Sequence, residues 1–369
     1  MLSEFLIYLC EKNGSDLHVK VGNQPHVRVN GELEPIPGSR RIGLEDMEAI
    51  MTEVMTGDRK ERFLRNKSLD FSYSVPGKGR FRTNVFIQRG TPAFAIRRIE
   101  EHTKTIDELG LPKVIKDIAV EPRGLILVTG ATGNGKSTTV SSIIGYINQT
   151  YVKNIITLED PIEFLFKDEK SIISQREIPN DMDSYQQALK YILRQDPDII
   201  FIGELRDVET VEAAIKASET GHLVISTLHT VDASQTITRI VDFFPTEHQK
   251  QIRYQLAKNL KAVVSQRLLP SKDRTKRYAA VEVMVQTPTI SELILSPEGV
   301  KEIPETIKVG KEIYGMQTFD QSIGQLYTEG KITYNTAIEA ATLKKDIELL
   351  KRGISYESTN ELYKGMLDF

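Results

Sequence analysis

The chain has no tryptophan and one cysteine, Cys10, among its 369 residues. A single thiol excludes an internal disulfide, and the lack of any Cys-x-x-Cys pair excludes a cysteine-held zinc site. Cys10 lies in an apolar opening stretch (LSEFLIYLC) and reads as a small core residue in a chain suited to a reducing compartment. No apolar run approaches the ~20 residues a membrane span needs. The opening also lacks the basic region and small-residue cleavage site of a secretory signal, so the expected location is cytoplasmic. Charge of one sign is not in excess: 48 Lys and Arg face 51 Asp and Glu, a net −3. Without a basic footprint, no nucleic acid partner is expected. Internal repeats and low-complexity tracts are absent as well.

What is there suits an ordinary globular chain, with 40% hydrophobic and 27% charged residues and length for two domains. Residues 1–100 read as a small α+β domain. Leu2, Phe5, Leu6 and Leu9 recur at helical spacing, and alternating segments follow (DLHVKVG, HVRVNGELEPI, GRFRTNVFIQRG, AFAIRRI). Asn30-Gly31 is a hairpin signal between two of these. The alternation stops at 101–113, where Pro112 appears, and this stretch reads as a linker.

From 114 to 369 the style is different. GLILVTG, NIITLED, PDIIFIGE and HLVISTLH are continuous apolar runs, the pattern of strands buried on both faces. Helical patterns lie between them. One spans 184–194, with Asp183 and Gln186 spaced as a capping box. Another spans 208–219, with Val208, Val211, Ile215 and Ser218 on one side, and stops at Gly221. The order implies a doubly wound α/β domain. From about 288 the chain reads as mostly helical, broken up by Pro288, Pro297 and Pro304.

Residues 130–137 (GATGNGKS) match G-x-x-x-x-G-K-[ST]. The pattern arises by chance in roughly one chain of this size in a hundred, but here it follows an apolar strand and precedes a helical segment, the context it requires. Gly130, Gly133 and Gly135 let the backbone wrap phosphate oxygens, with Ala131, Thr132 and Asn134 between them. The helix start adds its dipole. Lys136 can reach the β- and γ-phosphates, and Ser137, followed by Thr138, offers a hydroxyl to Mg²⁺. ATP with Mg²⁺ is the expected ligand.

Hydrolysis also needs a positioned water and charge stabilisation, supplied in such folds from strand carboxyl ends. Glu159-Asp160-Pro161-Ile162-Glu163 follows one run, a concentration of carboxylates that calls for cations nearby. Glu163 is the candidate for orienting the attacking water, supported by Glu159. Glu204 ends the next run, where a Walker B carboxylate would hold Mg²⁺ directly or through water. His229 ends the last run at the nucleotide side. His222 precedes it by seven steps, ~23 Å of strand, and is expected at the opposite edge.

Together these segments resemble the secretion ATPase superfamily, and within it the type IV pilus retraction ATPases of the PilT/PilU family. The resemblance rests on GSDLHV, GRFRTNVFIQR, GATGNGKSTT, ITLEDPIEF, ALKYILRQDPDIIFIGELRD, TGHLVISTLHT and GMQTFDQ, in that order. It implies a PAS-like N-terminal domain and a RecA-like P-loop ATPase domain in a homohexamer acting on an inner-membrane platform protein. It makes Lys136 the Walker lysine, Glu163 the catalytic glutamate, Glu204 the Walker B acid, and His222 and His229 the His-box pair. It also brings arginines of the first domain to nucleotide; Arg80, Arg82, Arg97 and Arg98 are the candidates, Arg82 and Arg97 foremost. The four-cysteine site and longer N-terminal region of assembly-type relatives are missing, which favours retraction. SELILSPEGVKEIPETIKVG replaces the AIRAGE-like motif of PilT, which is closer to PilU and to an accessory role beside a second retraction ATPase. A related secretion or DNA-uptake translocation ATPase is the alternative, and a nucleotide-binding ring adaptor without useful hydrolysis is another.

Overall fold

A computed structural model describes residues 1–99 and 103–352. The chain divides into two compact units, Met1–His102 with Pro161–Phe166, and Thr103–Asp160 with Lys167–Phe369. Positions 101 and 102 of the expected linker lie outside the described residues, while Ile106 and Leu111, further along it, are buried.

In the first unit, helix α1 (Leu2–Glu11) precedes β1 (Asp16–Lys20), β2 (His26–Val29) and β3 (Glu32–Pro35). Asn30 and Gly31 join β2 to β3 with positive φ at both positions (50° and 88°), the backbone a two-residue hairpin with a primed turn requires. Helices α2 (Leu44–Val54) and α3 (Asp58–Asn66) precede β4 (Ser68–Val75), β5 (Gly79–Gln88) and β6 (Thr91–Arg98). The strands form one sheet in the order β3-β2-β1-β6-β5-β4, antiparallel throughout. Leu2, Leu6 and Leu9 of α1 pack with Leu17, Phe81, Val85 and Phe94 on the buried face. Cys10 is half-buried, with its thiol on the Lys78 carbonyl. Strand β4 and helices α2 and α3 had no assignment from the sequence pattern.

The second unit opens with α4 (Val114–Ile118) and β7 (Gly124–Thr129), then α5 (Lys136–Thr150), β8 (Asn154–Glu159), β9 (Ile172–Glu177), α6 (Tyr185–Ile192), β10 (Ile199–Ile202), α7 (Val208–Glu219) and β11 (Leu223–Leu228). Helices α8 (Ala233–Asp242) and α9 (Thr246–Asn259) lead to β12 (Leu260–Pro270) and β13 (Arg277–Val285). The seven strands are ordered β13-β12-β7-β11-β10-β8-β9. All neighbours run parallel except β12 and β13. Every residue of β7, β10 and β11 is buried, as apolar runs without alternation require.

Several details depart from the sequence reading. The cap of α6 is Ser184 rather than Asp183, its hydroxyl accepting from Gln187 N. Val208 is 36% exposed in the first turn of α7, whereas Val211, Ile215 and Ser218 are buried. Residues 260–285 are a β-hairpin extending the sheet, for which the reading had no strand. Beyond it, Pro288, Pro297 and Pro304 sit in the first turns of α10 (Pro288–Ile294), α11 (Pro297–Val300) and α12 (Ile303–Val309), so each proline opens a helix. Helices α13 (Lys311–Tyr314), α14 (Phe319–Thr328), α15 (Tyr334–Ala340) and α16 (Lys344–Lys351) follow, and residues of α14–α16 share a small core with Leu269 and Ala280.

Candidate functional site

The phosphate loop leaves β7 at Gly130 and turns into α5 at Lys136. A β-carbon on Gly130 would lie 2.5 Å from the Gln266 carbonyl, and its φ is +147°, so only glycine fits between β7 and β12. Gly133 (φ +81°) and Gly135 (φ +83°) complete the turn. Gln266 of β12 supports the loop from beneath: its Oε1 accepts from Thr139 Oγ1 at 2.6 Å, both buried. Leu268 N donates to Asn134 Oδ1 at 3.4 Å. Ala131 and Thr132 are exposed, and Ser137 and Thr138 are half-buried on the first turn of α5.

Lys136 Nζ donates to the Gly130 carbonyl (2.8 Å) and the Ala131 carbonyl (3.4 Å). It also lies 3.4 Å from His229 Nδ1, which is 3.5 Å from Thr132 Oγ1. The other ring nitrogen, Nε2, is 3.2 Å from Glu204 Oε1. Glu204 Oε2 accepts from Arg206 Nε at 2.9 Å, and Arg206 reaches Asp160 Oδ2 at 3.5 Å. The set Lys136–His229–Glu204–Arg206–Asp160 therefore runs unbroken across the carboxyl ends of β7, β11, β10 and β8.

Backbone contacts set Glu204 in place. Thr227 Oγ1 donates to the Gly203 carbonyl (2.6 Å), and Leu205 N donates to the Thr227 carbonyl (3.0 Å), so β11 grips the chain on both sides of Glu204. A β-carbon at Gly203 would meet the Leu158 carbonyl and the Tyr185 hydroxyl at 3.1 Å each, which explains the glycine before the acid. Tyr185 is held protonated, first by burial and then by Asp160. The guanidinium of Arg206 is likewise held charged, chiefly by its hydrogen bond to Glu204.

Glu159 is buried at the tip of β8 and accepts from Thr157 Oγ1 (2.7 Å) and Gln175 Nε2 (3.2 Å). Asp160, in the same acidic segment, has the Arg206 guanidinium beside it. Glu163 is exposed and lies in the Pro161–Phe166 segment that counts with the first unit. His222 stands before the first residue of β11 with its Nδ1 on the Ala217 carbonyl (3.0 Å), at the strand end remote from the phosphate loop.

In the first unit, Arg82 of β5 and Arg97 of β6 are direct cross-strand neighbours. Arg97 pairs with Asp16 at 2.8 Å and Arg82 with Asp70 at 3.9 Å, while both guanidiniums stay largely exposed. Arg98 donates to Asn13 Oδ1 at 3.1 Å, and the Nε of Arg80 is buried. Three residues of the second-unit site escaped the sequence reading. Arg206 had a signal, a base two places after a strand-tip acid. Tyr185 and Gln266 had none, because their roles depend on strands and helices distant in the chain.

Among the described residues, no group of three or more His, Cys, Asp or Glu side chains is arranged to hold a metal by itself. The Ser137 hydroxyl and Glu204 carboxylate are hard oxygen donors that fit Mg²⁺. Glu204 Oε2 accepts from Arg206 and Oε1 lies 3.2 Å from His229 Nε2, which suits contact with the ion through its water shell. No described helix is long and apolar enough to cross a membrane.

Residues 69–360 match the family model described as Type II/IV secretion system protein. The chain is 41% identical over 347 residues to the type IV pilus ATPase PilU of Pseudomonas aeruginosa, covering 94% of this chain and 90% of that one. It is 39% identical over 350 residues to the type IV pilus retraction ATPase PilT of the same organism, covering 94% and 99%. The crystal structure of the pilus retraction motor PilT with bound ADP superposes with a TM-score of 0.85 at 41% identity, over 94% of this chain and 98% of that one. The α/β fold with its phosphate loop and these likenesses agree: the chain belongs to the Type II/IV secretion system protein family, on its PilT/PilU type IV pilus ATPase branch.

Proposed function

We propose that the chain hydrolyses ATP as a type IV pilus retraction motor, working as a homohexamer on the cytoplasmic side of an inner-membrane platform protein. The observation that carries the reading is the contact set from Lys136 through His229 to Glu204, built on a glycine loop between a buried strand and a helix. Lys136 has the reach to exchange its loop carbonyls for the β- and γ-phosphates, and the amides of Gly133 and of Gly135 to Ser137 are placed to serve as donors at the helix start. Bound there, Mg²⁺ would neutralise charge on the phosphates and shield the leaving group. Ser137 would hold it directly and Glu204 through water, with His229 and Arg206 keeping the carboxylate aimed.

Glu163 is assigned the attacking water, with Glu159 behind it. Arg82 and Arg97 are assigned to charge stabilisation at the site of a neighbouring copy, since guanidinium suits charge spread over a γ-phosphoryl group. The segment 291–310 departs from the motif of primary retraction motors and favours action beside a second retraction ATPase. The names and likenesses of the relatives support the motor reading as a class; the ring and its partners rest on the resemblance.

The test is Mg²⁺-dependent ATP turnover by the purified chain, with sedimentation to read the assembly. Binding of ATP without turnover above background would leave only the adaptor reading. In cells, deletion should abolish or weaken twitching and pilus retraction; unchanged retraction, with DNA uptake or secretion lost instead, would favour the translocation reading.

A further inference from the structure

We propose that Glu282 of β13 is a positioning residue for the nucleotide site, tethering the turn that carries His229 to the outer part of the sheet. The inference rests on the ATPase reading and deepens it.

Glu282 is out of place by composition. It is buried in a strand whose neighbours Ala280, Val281, Val283 and Met284 are all apolar. Its carboxylate has a specific partner: Oε1 accepts the backbone N–H of Ala233 at 2.9 Å. Ala233 is the first residue of α8, so that N–H is one of the orphan donors of a helix start. Asp232 caps the same end through Gln235 N (2.8 Å), and Thr230 Oγ1 meets Thr236 Oγ1 at 2.7 Å. Only Thr230, Val231 and Asp232 separate this anchored point from His229. The turn has little freedom while Glu282 holds it.

The same residue ends a row across the sheet. Leu228 pairs with Thr129, Thr129 with Ser265, and Ser265 with Glu282. Thr129 Oγ1 donates to Ser265 Oγ at 2.9 Å. Leu228 immediately precedes His229, and Thr129 immediately precedes Gly130. The two strand tips that launch the site therefore share a register with Glu282, and its carboxylate reaches from that row to the helix start just past His229.

The groups facing Glu282 are Asp232 from the α8 cap, Arg267 from β12 and Asp320 from α14. Burial first, then Asp232 and Asp320, push its carboxyl up to about 7 against the pull of Ala233 N–H and Arg267. The ionised form is the better acceptor and opposes the partial positive charge of the helix start. The tether therefore tightens as pH rises through neutrality.

The experiment compares steady-state ATP hydrolysis by the native chain and Glu282→Gln from about pH 6 to about pH 8.5. Gln keeps an acceptor but cannot ionise, and titration common to both proteins, including that of ATP, drops out of the ratio. The expected ratio of native to variant kcat rises ~3- to 10-fold across that range, with KM for ATP unchanged within ~2-fold. Glu282→Ala should lower kcat by ~10-fold or more at high pH. A flat ratio, or a loss carried in KM, overturns the proposal. Where the Ala chain does not fold, the Gln ratio alone decides. A native chain without turnover removes the ATPase reading itself, which is a different result from a flat ratio in an active enzyme.

Discussion

His229 and Glu204 meet through Nε2 and Oε1 at 3.2 Å, while the other ring nitrogen faces Lys136 Nζ at 3.4 Å. A carboxylate only accepts and an ammonium only donates. A lone pair on Nδ1 suits the ammonium and an N–H on Nε2 suits the carboxylate. The ring thereby joins the phosphate lysine to the strand-tip acid. His229→Ala should lower kcat by ~10- to 100-fold while ADP affinity changes little, and His229→Gln, which keeps a donor and an acceptor, should fall between. Equal kcat in His229→Ala and native protein would remove the ring from the site's chemistry.

Lys136 and Glu163 are assigned different tasks, and two variants separate them. Lys136→Ala should weaken ATP binding, because the ammonium is assigned to the phosphates both before and during reaction. Glu163→Gln should leave ATP bound and slow turnover by ~100-fold or more, the signature of a group needed only in the transition state. Near-native hydrolysis by Glu163→Gln would return the water-positioning role to another residue.

Gly130 and Gly133 share a positive φ but differ in surroundings. A β-carbon at Gly133 meets nothing within 4 Å, whereas at Gly130 it lies 2.5 Å from a backbone carbonyl. Gly133→Ala should therefore cost about 1 kcal/mol, the strain of the left-handed conformation. Gly130→Ala should cost at least ~3 kcal/mol because neither strand can yield. Urea unfolding of both variants checks the order, and equal losses would mean the strands part more easily than their register implies.

Glu282 also makes a stability prediction. Folding moves its carboxyl from 4.5 to about 7, so the folded chain binds this proton more tightly than the unfolded one. That contribution is complete below 4.5 and is lost as pH rises through about 7. Glu282→Gln should consequently be more stable than native protein at high pH, by on the order of 1–3 kcal/mol, with the gap closing under acid conditions. Chemical unfolding at several pH values measures it. Higher stability with slower turnover is the expected combination for a residue kept for the site.

Arg97 and Arg82 are exposed ion-pair partners, worth ~1 kcal/mol or less to folding. Arg97→Ala and Arg82→Ala should keep their melting temperatures and lose turnover only at protein concentrations that support assembly. Loss of the same size in a dispersed subunit would end the case for arginines acting on a neighbour's nucleotide.

Composition and local pattern went far with this chain. The buried parallel strands announced themselves as unalternating apolar runs, and the phosphate loop by glycines whose conformations no other residue adopts cheaply. Asn30-Gly31 specified its hairpin for the same reason. These signals are local: each follows from the backbone chemistry of a few adjacent residues. The hairpin from 260 to 285 escaped because β12, buried in the sheet, carries no clean period, so its apolar residues do not distinguish strand from helix.

The identities of Lys136, Glu204 and His229, and the strand ends that carry them, were legible along the chain. That one ring spans acid and lysine was decided by three strands lying in register, as was the pairing of Arg206 with Asp160. Glu282 is the sharpest case. In the chain it is an acid among valines, 49 positions from the N–H it accepts, and its purpose exists only where β13 passes beneath the first turn of α8. Contacts of that kind carry no periodic trace, because they depend on which segments pack together rather than on how any one of them coils.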